Sequence, residues 1–404
     1  MATFGPGARR TVLLAALLAA CGALAGCARA PRKPAFTAPV EPVFPPLEEG
    51  DRARREGRID DAVAAYERAL TLRPASIPAH LRLVSTYVAT GRRSVARERY
   101  AARVRSGAAN DVDRVMAARL ATDGSADALR SVYADAVRAA PQEAWWRLAL
   151  AEVDLDTADR SIVDLRAARE AGDRPGAAEA LEEAQQALAR ARVAVAEAAE
   201  RGPLLADVHL YRGLLQSLEG DMRSTPAEQS AAWADAAASY EAAVAASPGL
   251  VDAWAGLADS RQRAGLSDEA LAAWLEALRL APNDADLRRG AGLTLHALDR
   301  WVDAARMYRD AALLDPRDAT SFLNVGDCLA AAGDFAGAIE AYGLALARDP
   351  DAVEAHVKRG AALERLGRAA EARTEYATYL DRGGAHAAEA RRRIERIVAA
   401  EGRR

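Results

Sequence analysis

Cysteine, lysine and aromatic residues are scarce in this chain. Its three cysteines, Cys21, Cys27 and Cys328, leave no paired spacing in 404 residues. They supply neither a disulfide framework nor a metal-ligand pattern. Lys33 and Lys358 are the two lysines, so positive charge is almost entirely arginine, and the formal net charge is −4. Phosphate backbones demand a net basic footprint, which argues against nucleic acid as a main partner. Catalytic signatures are missing too. There is no Gly-x-x-x-x-Gly-Lys-Ser/Thr run, and Gly290-Ala291-Gly292 lacks the third glycine and a preceding strand. The histidines His80, His209, His296, His356 and His386 are far apart, with His80, His209 and His356 expected to pack within their own units, and no His-Glu-x-x-His or Gly-x-Ser-x-Gly occurs. The expectation is a chain that is not an enzyme and carries no cofactor or metal.

What the chain has instead is a beat. Pro282, Pro316 and Pro350 stand 34 residues apart. Trp274, Tyr308 and Tyr342 each lie eight residues before a proline, Ala277, Ala311 and Ala345 five before, and Ala270, Ala304 and Ala338 twelve before. Fixed-period self-similarity marks a stack of repeated units. Within 251–282, Trp254, Leu257 and Ala258 share one helical face, and Gly265 ends that helix. A second helix over 267–281 turns Ala270, Leu271, Trp274, Ala277 and Leu278 inward; Pro282 stops it, and Asn283 or Asp284 caps the next helix. One such hairpin cannot bury its apolar face alone, so copies must stack into an all-α array.

The pattern resembles the tetratricopeptide repeat. The unit over 319–350 carries Phe322, Gly326, Ala338, Tyr342, Ala345 and Pro350 at the family's positions, with Val325 and Leu329 where leucine and tyrosine are usual. The resemblance implies a TPR-type α-solenoid. It also implies a concave binding face built from the second, fifth, ninth and twelfth residues of each first helix. These are Asp252, Ala255, Asp259 and Gln262, then Asp286, Arg289, Leu293 and His296. Thr320, Leu323, Asp327 and Ala330 follow, and then Glu354, Val357, Ala361 and Glu364. An apolar floor with acidic edges suits a basic, partly apolar peptide or helix. Two family specialisations are not met. The lysines and asparagines of a carboxylate clamp are missing from these positions, and of an asparagine ladder only Asn324 is present.

Taken in order, residues 1–27 read as an export signal, with Arg9 and Arg10 before the apolar run 11–20. Leu24-Ala25-Gly26-Cys27 resembles the bacterial lipobox, which implies lipidation of Cys27; Cys21 is the second candidate, and an ordinary secretory signal is the alternative. Ala28 follows the cysteine, which by the same resemblance points to the outer membrane. Residues 28–46 hold six prolines and read as an extended linker. Repeats one to three are expected over 47–141, a long irregular helical hairpin over 142–203, repeats four to eight over 206–384 and a capping helix over 386–400. About eleven extra residues near 220–230 are expected to form a loop, and Arg391, Arg392, Arg393 and Arg396 a solvated face. The functional expectation is an envelope scaffold, held by N-terminal lipid, with a protein or peptide in the groove. The alternative is a module for an envelope ligand such as polysaccharide.

Overall fold

Alanine-rich stretches, punctuated by glycine at helix ends and by capping Ser, Asn, Thr and Asp, dictate short helices joined by tight turns. The computed structural model describes residues 45–202, 205–315, 318–384 and 386–401. Cys27, the signal and most of the proline-rich linker lie outside them. Among the described residues every regular element is a helix, and none is long and apolar enough to cross a membrane.

Two compact units divide the chain between Ala281 and Pro282. In the first, helices pair in sequence order. These pairs are α1 (Pro45–Arg55) with α2 (Ile59–Leu72), α3 (Ile77–Ala89) with α4 (Arg93–Arg105), and α5 (Asp111–Ala121) with α6 (Ala126–Ala139). Then follow α7 (Ala144–Ala171) with α8 (Arg174–Arg201), α9 (Ala206–Asp221) with α10 (Pro226–Ala246), and α11 (Val251–Arg263) with α12 (Ser267–Leu280). The second unit pairs α13 (Ala285–Ala297) with α14 (Trp301–Leu314), α15 (Ala319–Ala331) with α16 (Phe335–Arg348), and α17 (Val353–Arg365) with α18 (Ala369–Asp381). It ends on α19 (Ala387–Glu401). Both units are stacks of the all-α, TPR-type solenoid class.

One close contact recurs in several hairpins. A tyrosine of the second helix lies across a glycine of the first: Tyr66 on Gly50, Tyr240 on Gly213, Tyr342 on Gly326 and Tyr376 on Gly360. A Cβ on Gly326 would stand 2.4 Å from the Tyr342 ring, so only glycine admits this close approach. All four tyrosines are 2% exposed or less. Burial of each aromatic contributes on the order of 2 kcal/mol. Alanines at Ala62, Ala236, Ala338 and Ala372 are fully buried and let the paired backbones close up.

Three expectations change on contact with the structure. The extra residues near 220–230 are not a loop. They lengthen the hairpin instead, giving α9 16 residues and α10 21, with a short turn between. Pro226 sits in the first turn of α10 and the Thr225 hydroxyl accepts from Glu228 N at 3.3 Å, so the helix starts early and runs on through alanine. Arg393 leaves the solvated face. It bonds Glu364 Oε2 at 3.0 Å and lies over the Tyr376 ring, while Arg391, Arg392 and Arg396 are exposed. Of the histidines expected to pack, His80 is buried, whereas His209 and His356 are only partly so.

Candidate functional site

In the first unit the inner face of the stack can be read directly. Arg54, Pro78, Leu81, Arg82, Ser85, Trp145, Leu148, Ala149, Glu152, Asp207, Leu210, Tyr211 and Asp252 surround one cavity of roughly 100 Å³. They come from the first helices α1, α3, α7, α9 and α11 and from no second helix. Several occupy the second, fifth and ninth places of their helices, the register that the family resemblance assigns to the concave side.

Charge on that face is paired internally. Arg82 bridges two helices, with Nη2 donating to Asp207 Oδ1 at 3.1 Å and Nε 3.2 Å from Asp51 Oδ2. Burial pulls the Arg82 pKa down, but Asp51 and Asp207 outweigh it and hold it above the ordinary value. Burial raises the Asp207 carboxyl, and Arg82 only partly offsets that. Arg55 donates to Asp252 Oδ1, and Arg54 Nη2 lies 3.9 Å from Asp252 Oδ2. Tyr66 gives its hydroxyl proton to Asp51 at 2.7 Å and Tyr211 to Glu152 at 3.1 Å. Of the other expected groove residues here, Asp259 pairs with Arg263 at 2.9 Å, and Gln262 is partly exposed.

The second unit presents the same register on α13, α15 and α17. Asp286 and Asp318 both take Arg289, the latter at 2.6 Å, and Asp318 also caps α15 by accepting from Ser321 N at 2.8 Å. Asp327 accepts from the Tyr342 hydroxyl at 2.8 Å and from Lys358 Nζ at 2.5 Å. Glu354, an exposed residue, accepts from Tyr379 at 3.1 Å. His296 packs edge-on against Trp301, ring centroids 4.7 Å apart. Leu293, Leu323 and Val357 are partly exposed apolar residues between these polar groups. Such an arrangement can dock an apolar side chain and present carboxylates to a cation.

Among the described residues no cluster of His, Cys, Asp or Glu could hold a metal ion. Cys328 is fully buried, and burial first, then Asp327, pushes its thiol up to about 12, which makes it a packing residue. Sequence reasoning missed Arg54, Arg55, Arg82 and Asp207. Asp207 and Asp252 stand at the same place in their helices once the extra eleven residues are discounted, and that register was available. Their arginine partners lie 125 and 197 residues away and obey no period. Trp145, the second residue of α7, lines the cavity beside a buried Trp146.

Family models recognise the repeat in three stretches of the sequence. Tetratricopeptide-repeat models match residues 53–118 and 255–319, and a TPR-repeat model matches 326–367. The chain therefore carries tetratricopeptide repeats. No curated protein matches it. Among solved structures, the MamA protein is 20% identical over 44% of this chain and 91% of its own, with a TM-score of 0.40. YrrB, described as a TPR protein with an unusual peptide-binding site, is 20% identical over 49% of this chain and 97% of its own, TM-score 0.42. The first TPR of Spaghetti (RPAP3), bound to an HSP90 peptide, is 23% identical over 29% of this chain and 93% of its own, TM-score 0.28.

Proposed function

We propose that the chain is a non-enzymatic, protein-binding scaffold, lipid-anchored at Cys27 in the bacterial envelope, that assists assembly or positioning of an envelope protein complex. The observation that supports it most is the run of stacked repeats whose first helices turn mixed apolar and charged side chains to one face. Repeat arrays of this kind use extended surfaces for binding. The partner segment is basic and partly apolar, matched to Leu293, Leu323 and Val357 and to the carboxylates of Asp286, Asp327 and Glu354. The lipobox-like run ending at Cys27 and the proline-rich linker after it support anchoring with a spacer, on sequence alone.

Polysaccharide is the second reading, and Trp145 on the cavity wall is the observation in its favour. Against it, Trp146 and Trp274 are 3% and 2% exposed and offer no ring face to a sugar. Crosslinking in intact cells separates the two. A defined protein adduct is expected; recovery of glycan alone, or of nothing, would contradict the scaffold.

A further inference from the structure

The acidic edge of the first unit already has an occupant, and the chain itself supplies it. Asp207 and Asp252 hold the second place of α9 and α11, a concave position. Facing them are Arg82 from α3 and Arg54 and Arg55 from α1. The α1 end reads Asp51-Arg52-Ala53-Arg54-Arg55-Glu56-Gly57-Arg58, a basic run of the kind an acidic groove would take from a partner. Glu48, one turn earlier on α1, lies against Gly249 just before α11: a Cβ there would stand 2.6 Å from its carboxyl carbon. These ion pairs therefore form part of the cavity wall.

We propose that Arg54, Arg55 and Arg82 form a self-occluding latch across the concave face of the first unit, and that an arginine-rich segment of a partner protein displaces them from Asp207 and Asp252. The groups are suited to exchange. The Arg55 and Asp252 side chains are 16% and 29% exposed, and those of Arg82 and Asp207 20% and 13%, so each pair keeps an edge open to water. Swapping one guanidinium for another keeps both the charge balance and the planar two-pronged geometry a carboxylate accepts. The helices themselves stay folded, because α1 is held to α2 by Gly50 beneath Tyr66 and by the buried Ala53 rather than by these arginines.

The partner half of the proposal rests on the protein-binding reading; the latch half does not. Ser85 lines the cavity, so Ser85→Cys in the full chain, with Cys21→Ala and Cys27→Ala removing the two N-terminal thiols, reports opening through its rate of reaction with a cationic thiosulfonate reagent. Adding Asp252→Asn and Asp207→Asn, which keep side-chain volume, should raise that rate about tenfold, and about 0.5 M salt should raise it in Ser85→Cys alone. Circular dichroism checks that each variant is folded. A rate unmoved by both changes overturns the latch. The second arm uses a fluorescent peptide copying residues 51–58. It should bind the Arg54→Ala/Arg55→Ala chain about tenfold more tightly than the wild type, a difference of about 1.4 kcal/mol. That gain should vanish when Asp207→Asn and Asp252→Asn are added. Equal affinity for wild type and variant overturns the assigned partner chemistry. Crosslinking from Leu323, in the second unit, is independent of both arms, so failure here is distinguishable from failure of the scaffold reading.

Discussion

At the scale of single residues, two glycines of one hairpin should respond to the same change with opposite sign. Gly326 is roofed by the Tyr342 ring, whose hydroxyl is fixed on Asp327. Gly326→Ala forces that ring away, and overpacking of about 1–3 kcal/mol outweighs the helix propensity gained. Gly343, inside α16, has only the tip of Arg359 within reach, at 3.7 Å. Gly343→Ala should therefore stabilise by about 0.5–1 kcal/mol. Chemical denaturation of both variants checks the pair of signs. His80 gives a pH test. The Pro74 carbonyl, 2.9 Å from Nε2, can only accept, so Nε2 carries the proton and Nδ1 accepts from the Tyr100 hydroxyl at 2.7 Å. Burial lowers the His80 pKa below 6.5, and the Pro74 carbonyl only partly offsets it. The unfolded chain thus takes up this proton first as pH falls. The stability contributed by neutral His80 is complete above pH 6.5 and is lost as pH drops through 6.5 towards the depressed folded value. Melting profiles should slope downwards just below pH 6.5, and His80→Gln should flatten that slope; an unchanged slope would contradict the assignment.

At the scale of the element, the repeat explains one strained turn. Gly265, Gly333 and Gly367 close their first helices in the left-handed region, at φ 85, 84 and 75. They are spaced by the 34-residue beat with one gap, and Asp299 fills it at φ 57, the one non-glycine residue with positive φ among the described residues. Asp299→Gly should raise stability by about 0.5–1 kcal/mol, read as a shift in denaturation midpoint at constant slope. Registers of this sort were legible in sequence because Gly, Ala, Tyr and Pro each answer a local steric demand that recurs every repeat. Helix identity, hairpin pairing and the Asp284 cap follow from the same demands. The insertion near 220–230 was misread because glycine and serine suggest a loop, while the Thr225-Pro226 start and the alanines after it carry the helix on. Arg393 and the Arg82 bridge were illegible, since long side chains reach partners fixed only by the stacked geometry.

At the scale of the whole molecule, two statements stand on different footings. Lipid attachment rests on sequence, and Cys27→Ser should move the protein from the membrane fraction to the soluble fraction; persistent sedimentation with membranes would contradict it. The proposed binding face rests on the register that α3, α7, α9 and α11 display around the cavity of the first unit and that the second unit carries on Leu293, Leu323 and Val357. The decisive measurement is a position-resolved photo-crosslinking scan in intact cells. A benzophenone side chain is placed at Leu323 or Val357 on first helices, or at Leu344, which is 43% exposed on the second helix α16. A discrete protein adduct from Leu323 and Val357, absent from Leu344, is the predicted result. Adducts that favour Leu344, or none from the concave positions, would contradict the account.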